Sequence, residues 1–393
     1  EPVGTTGGPP SPDAGIIAQD ERCGMLRLTA SQVQAWQRNV AEAVDLLDRE
    51  FPQYLRPMRR GLHSIVPLSA SPAVMGSSYT AEEGFGAVYL DAPTDAPQLA
   101  STLVHEFQHA KLGLLLGQTP LTAGSDSEGL PRLYAPWRDD PRPITGLLQG
   151  IYAFFGVADF WRVLRTLDGH ESPSAHIEYA LCSTQVRAAI TQAQKSDRLT
   201  PDGRHFLHTL AEAMAPWAAE DLPADAARIA SESAIAHYTF WRVRNWQPDT
   251  RDITELAACW QARQPPPLQL PVSRPVEQTA VPRHHQRLTL LFHLKNAWRQ
   301  RTSTTVPISD GERAYLAGDH AEAAARYQHE FDTDPLRPQA WAGLALTLPH
   351  LHPDLDITVL HRQPEILAHL YQADRSHTDT VPLLQWLTSA PAE

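Results

Sequence analysis

A mostly α-helical, α+β fold is what this sequence predicts, on three observations. Helix-period apolar repeats cover most of the 393 residues, strand-like runs are few, short and near the N-terminus, and a tetratricopeptide-like pattern stands near the C-terminus. The length fits two or three domains and is ample to bury a core. Apolar residues at 42% and charged residues at 20% are ordinary for a globular chain.

Residues 1–24 are rich in Pro, Gly and Ser without hydrophobic periodicity, and read as a flexible tail. Residues 25–262 read as one helical domain carrying the chemistry. Its first helix sets Val33, Trp36, Val40, Val44 and Leu47 at three- and four-residue spacing, with Ser31 as the expected N-cap. Residues 64–68 and 86–90 are the strand-like runs. A long helix follows, opened by Asp95 and Gln98 in the manner of a capping box and closed by Gly117 and Pro120. Leu99, Leu103, Phe107 and the leucines of 112–116 are expected on its buried side. A polar loop over 118–146 leads into an almost wholly helical stretch. Residues 263–307 begin as a Pro-rich, semi-rigid linker and continue into a helix. In residues 308–393, the Gly-Asp turn, the spaced alanines and the Ala-Trp-Ala-Gly-Leu run predict a tetratricopeptide-like helical hairpin. One hairpin is too few for a free-standing solenoid, so it is expected to pack on the main domain or dock a partner.

The net charge of −12 argues against nucleic acid or an anionic membrane as the main partner, since both attract a basic surface. Cys23, Cys182 and Cys259 are widely spaced and odd in number, which fits a reducing compartment and predicts a cytoplasmic protein. No uninterrupted apolar run approaches the roughly 20 residues needed to span a bilayer.

The chemistry is concentrated in His105-Glu106-Phe107-Gln108-His109. Histidines four apart on a helix share a face, close enough to hold one divalent metal at about 2.0–2.1 Å per nitrogen. Glu106 stands where a metallopeptidase places the general base. With 18 histidines in the chain, chance would produce this pattern about 0.05 times, so coincidence is a weak explanation. A third ligand is needed, and the sequence leaves it open. Glu128 follows His109 after 18 residues, a zinc-peptidase spacing, but sits in a loop-like stretch. Gln149, His176, Glu178 and His237 are the other candidates.

The run over 103–112, the Tyr-Ala-Pro-Trp-Arg-Asp-Asp-Pro-Arg-Pro of 134–143, and the following Gly-Leu-Leu-Gln-Gly-Ile-Tyr-Ala-Phe resemble the HExxH-motif peptide-modification proteins of ribosomal-peptide biosynthesis. The resemblance covers roughly residues 25–250 and rests on three ordered motifs. It implies an iron(II)- and 2-oxoglutarate-dependent peptide β-hydroxylase acting on a precursor peptide. Other members are fused to, or encoded beside, radical-SAM maturases, and a truncated fusion would suit the tail at Glu1. One departure matters: the position of Gln149 is usually His in that family, so Gln149 implies an amide-oxygen ligand or a damaged site. Ferrous iron needs two or three protein ligands and open positions, while the far carboxylate of 2-oxoglutarate needs a bidentate arginine. Arg138 and Arg142 are the first candidates for it, and Arg242 and Arg244 the next. The plain alternative for each is an ion pair with Asp139, Asp140 or a neighbour.

Three readings follow. The first is the peptide hydroxylase, with His105, His109 and Gln149 on iron and Arg142 on the oxo acid. The second is a zinc peptidase of the same lineage in which Glu106 activates water. The third is a degenerate metal-site domain that binds a leader peptide or a partner maturase.

Overall fold

The computed structural model describes residues 28–68, 78–80, 86–92, 95–124, 132–167, 173–276, 308–374 and 379–389. Among these, helices dominate and strands are confined to two small sheets, giving the mostly α, α+β class expected. Two compact units emerge. One takes Glu1–Thr119 and Tyr152–Trp161, the other Pro120–Ile151 and Arg162–Glu393.

In the first unit, helix α1 (Ala30–Glu50) opens on a capping box. The Thr29 hydroxyl accepts from the Gln32 amide, and the Gln32 side chain accepts from the Thr29 amide at 2.8 Å. Thr29, not the expected Ser31, is therefore the cap, with Gln32 closing the box three residues on. The buried face is Ala43, Leu46 and Leu47, whereas Val33, expected inside, is 39% exposed. Fully buried Phe51 separates α1 from α2 (Pro52–Gly61) and packs on Phe160 with ring centroids 4.5 Å apart. Burying such a side chain contributes about 1.5–3 kcal/mol.

Strand β3 (Ala87–Leu90) lies between β1 (Ser64–Pro67), parallel to it, and β2 (Ser78–Thr80), antiparallel. Val88 and Leu90 are buried while their neighbours are half-buried, the period-two pattern of a one-faced strand. Helix α3 (Ala96–Leu116) begins where Asp95 Oδ1 accepts from the Gln98 amide at 2.8 Å, half of the anticipated box. Leu99, Leu103, Phe107 and Leu112 are buried as expected, but Leu114 and Leu115 are 60% and 41% exposed. The expected apolar face was drawn too wide, since five consecutive residues must circle the helix.

Helix α4 (Ile144–Leu164) gives its 152–161 segment to the first unit and its ends to the second. Its 21 residues are long and apolar enough to cross a membrane by length and composition, contrary to the expectation that no apolar stretch reaches that length. Some 61% of its most apolar window is buried inside the protein, as in a core helix.

The second unit contains α5 (Pro173–Ala193), α6 (Pro201–Met214) and α7 (Ala224–Asn245). Strand β4 (Trp246–Pro248) pairs antiparallel with β5 (Ser273–Pro275) around α8 (Thr250–Gln261). Among the described residues six further helices follow: α9 (Asp310–Leu316), α10 (His320–Thr333), α11 (Pro338–Leu351), α12 (Thr358–Arg362), α13 (Pro364–Ala373) and α14 (Val381–Thr388). The turn between α9 and α10 places Gly318 at φ +79° and Asp319 at the next N-cap, a left-handed turn suited to glycine. Helix α10 packs on α11, and α11 on α7. Phe240 and Leu256 share one core with Tyr327, Phe331, Trp341 and Leu367. The C-terminal hairpin is thus built into the same core as α7 and α8. Cys182 and Cys259 are free thiols.

Candidate functional site

Helix α3 carries the histidine pair. Residues four apart are offset by about 40° around a helix, and here the two imidazoles meet with their Nε2 atoms 3.1 Å apart and their rings edge-on at 4.7 Å. Two nitrogens each about 2.05 Å from a common ion and 3.1 Å from each other subtend about 98° at that ion, between the octahedral and tetrahedral angles. The donor pair therefore fits one first-row divalent metal. Burial first, and His109 second, hold the His105 imidazole well below its ordinary pKa, which keeps it neutral. Phe154 of α4 stands edge-on to His105 at 4.8 Å.

Glu106 is buried, 1% exposed, on the same helix. Gln108, also buried, donates from Nε2 to the Tyr152 carbonyl at 3.4 Å and accepts from Lys111 Nζ at 3.0 Å. A close approach makes this possible. A Cβ on Gly156 would lie 2.8 Å from Gln108 Cγ, so only glycine leaves the glutamine its place undisturbed.

In the second unit, the 133–142 segment forms an irregular loop closed by two backbone bonds, Leu133 N to Arg142 O at 2.7 Å and Arg142 N to Leu133 O at 2.9 Å. Arg138 Nε donates to Asp140 Oδ1 at 2.9 Å, and Arg142 Nη1 lies 3.4 Å from Asp140 Oδ2. Burial pushes the Asp140 carboxyl up, but Arg138 and then Arg142 outweigh it and hold the group below its usual range. Three helices anchor the loop. On α4, Gly150 receives the Trp137 ring, where a Cβ would lie 2.3 Å from Cζ2. On α5, Gln185 Nε2 donates to the Pro136 carbonyl at 3.1 Å. On α7, Asn245 Nδ2 donates to the Asp139 carbonyl at 2.9 Å, and His237 contacts Tyr134 Oη through Nδ1 at 2.8 Å and Asp139 Oδ1 through Nε2 at 3.5 Å.

The other candidates fall as follows. Both ring nitrogens of His237 face protein groups, so as it stands it does not offer a lone pair to a metal. Gln149 is half-buried on α4, within the second unit, and Glu178 is half-buried on α5. The His176 ring lies 3.4 Å from Arg165 Nη1. Glu128 lies outside the described residues. Among the described residues no group of three or more His, Cys, Asp or Glu is arranged to hold a metal. Arg242 is bound at both ends of its guanidinium to fully buried Glu365, with Nε to Oε2 at 2.9 Å, and lies over the Trp246 ring. Arg244 Nη1 lies 3.8 Å from Asp139 Oδ2.

Sequence reasoning gave Phe154, Tyr134 and Gln185 no role, although Tyr134 and Phe154 stand within the motifs that carry the resemblance; each meets its partner across more than 40 residues. No family model and no curated protein matches this chain.

Proposed function

We propose that the chain is an iron(II)- and 2-oxoglutarate-dependent hydroxylase of a ribosomally made precursor peptide. The observation that carries this reading is the convergence of His105 and His109 Nε2 at 3.1 Å beside an aromatic wall. Iron(II) would supply, with dioxygen as the oxidant and 2-oxoglutarate as the co-substrate oxidised to succinate and carbon dioxide, the chemistry that turns a substrate C–H into C–OH. His105 and His109 hold the metal as neutral imidazoles, and Phe154 fixes the His105 ring plane. On the sequence resemblance alone, and not on any geometry between the two units, the Gln149 amide oxygen is the proposed third donor. Arg138 and Arg142, spaced by their shared Asp140, are the proposed anchors for the far carboxylate of the oxo acid. The precursor peptide, and in some settings a radical-SAM maturase, are the proposed partners.

A second reading is favoured by one observation, the burial of Glu106 directly after His105. In a zinc peptidase that carboxylate would accept the proton of the attacking water.

Metal analysis of anaerobically purified protein, with a titration of 2-oxoglutarate and a succinate assay, decides between them. The first reading expects one iron per chain and succinate formed with a precursor peptide. Zinc at full occupancy, no uptake of 2-oxoglutarate and peptide cleavage lost in Glu106→Gln would establish the second.

A further inference from the structure

We infer that His237 is a positioning residue that pins the 133–142 loop, and with it the Arg138–Asp140–Arg142 array, in the geometry needed to receive the oxo acid. The role in oxo-acid binding rests on the function proposed above; the pinning does not.

A ten-residue loop without regular structure is ordinarily among the most mobile parts of a protein. This one is held at two points, Tyr134 and Asp139, by a single buried side chain. His237 is only 6% exposed and comes from the middle of α7, where helix geometry fixes its Cβ. Its Nε2 lies 3.5 Å from the Asp139 carboxylate. Its Nδ1 lies 2.8 Å from the Tyr134 hydroxyl, within hydrogen-bond distance. One imidazole thereby joins the start of the loop to the residue beside Asp140. The contacts from Gln185 and Asn245 differ in kind, since they grip backbone carbonyls and accept any side chain at Pro136 or Asp139. Tyr134 is further fixed by edge-on contacts with Tyr238 and Trp241 at 5.1 Å, both from α7. Arg244 adds a positive charge on the other oxygen of Asp139, leaving Asp140 to the two loop arginines.

The test compares His237→Phe, which keeps the ring and loses both polar contacts, with Tyr134→Phe, which loses the same hydrogen bond from the loop side and leaves α7 untouched. Hydrogen exchange is read at the Leu133, Arg138 and Arg142 amides, each hydrogen-bonded within the loop. One hydrogen bond of this kind corresponds to about tenfold in an opening equilibrium. Exchange about tenfold faster at those three amides in both variants, with the α3 amides unchanged, is the expected result. Calorimetric affinity of the iron-loaded protein for 2-oxoglutarate should fall about tenfold while iron affinity stays constant, a split that general loosening would not produce. Wild-type exchange rates in both variants would overturn the inference, as would accelerated exchange with undiminished 2-oxoglutarate affinity. If the wild type itself takes up no 2-oxoglutarate, the proposed function falls, and the exchange rates still decide whether His237 pins the loop. Should His237→Phe fail to fold, Tyr134→Phe gives both readouts.

Discussion

Two histidine contacts of similar length are built in opposite ways. His105 and His109 meet at 3.1 Å because they lie four residues apart on one helix. His237 and Tyr134 meet at 2.8 Å across 103 residues, and only the packing of α7 under the loop brings them together. The first pair inherits its geometry from the helical repeat and tolerates change elsewhere. The second exists only while the tertiary structure holds. Substitutions should therefore separate metal binding from loop order, and the same distinction orders the predictions.

The largest effect belongs to the local pair. His105→Ala or His109→Ala should weaken metal binding by more than the roughly 10–100-fold typical of a supporting group. Helical content should hardly change, since Leu99, Leu103, Phe107 and Leu112 keep α3 buried. Chelator competition and far-ultraviolet circular dichroism measure the two quantities side by side. Full metal occupancy retained in both variants would remove the basis of the metal-centre reading.

Arg242 tests the tertiary side. It pairs with Glu365, which is fully buried, while its own side chain is 13% exposed. Arg242→Met leaves that carboxylate without its cation and should cost about 3–5 kcal/mol in urea denaturation. The Arg142 side chain is equally covered, but its carboxylate partner Asp140 is 39% exposed and can be solvated, so Arg142→Met should cost about 1 kcal/mol or less, while lowering 2-oxoglutarate affinity. Equal losses of stability would break the contrast between a structural arginine and one proposed to meet a ligand.

What the sequence made legible follows the same line. The cap at Asp95, the Gly318-Asp319 turn, the buried Leu99–Leu103–Phe107 face and the histidine pair are all local, set by spacings of three or four residues or by adjacency. The class of fold was legible for the same reason. Which arginine would be committed to Glu365 was not, because the partners lie 123 residues apart. The exposure of Leu114 and Leu115 was legible in principle, since residues 112–116 cannot all share one face of α3. The HExxH spacing pointed to the donor pair, but nothing in it pointed to Phe154.

A moderate effect is expected at Gln149. An amide oxygen is a weaker donor to iron(II) or zinc than an imidazole, so Gln149→His should tighten metal binding by about tenfold or more if this residue is the third ligand. Competition titrations under anaerobic iron(II), and separately under zinc, read the change. Unchanged affinity for both metals would move the third ligand to Glu128 or Glu178 and weaken the case for a degenerate site.

The smallest net effect distinguishes two glycines one and a half turns apart on α4. In both, an added methyl group meets a side chain that matters: the Trp137 ring for Gly150, at 2.3 Å, and the Gln108 stem for Gly156, at 2.8 Å. Trp137 is a rigid ring set in a loop that α5 and α7 also hold, so it cannot yield without carrying its neighbours along. Gly150→Ala should cost about 1–3 kcal/mol from overpacking and accelerate exchange at Arg138. Gln108 is a flexible chain whose end can rotate, at the expense of a 3.4 Å bond to the Tyr152 carbonyl. Against that loss, alanine gains about 1 kcal/mol over glycine in a helix interior. Gly156→Ala should accordingly change stability by less than about 1 kcal/mol and leave loop exchange untouched. It should still shift the imidazole resonances of His105 and His109, because Gln108 lies beside them on α3. A Gly156→Ala variant as unstable as Gly150→Ala would mean that Gln108 is held as firmly as Trp137, and that the histidine helix depends on long-range packing after all.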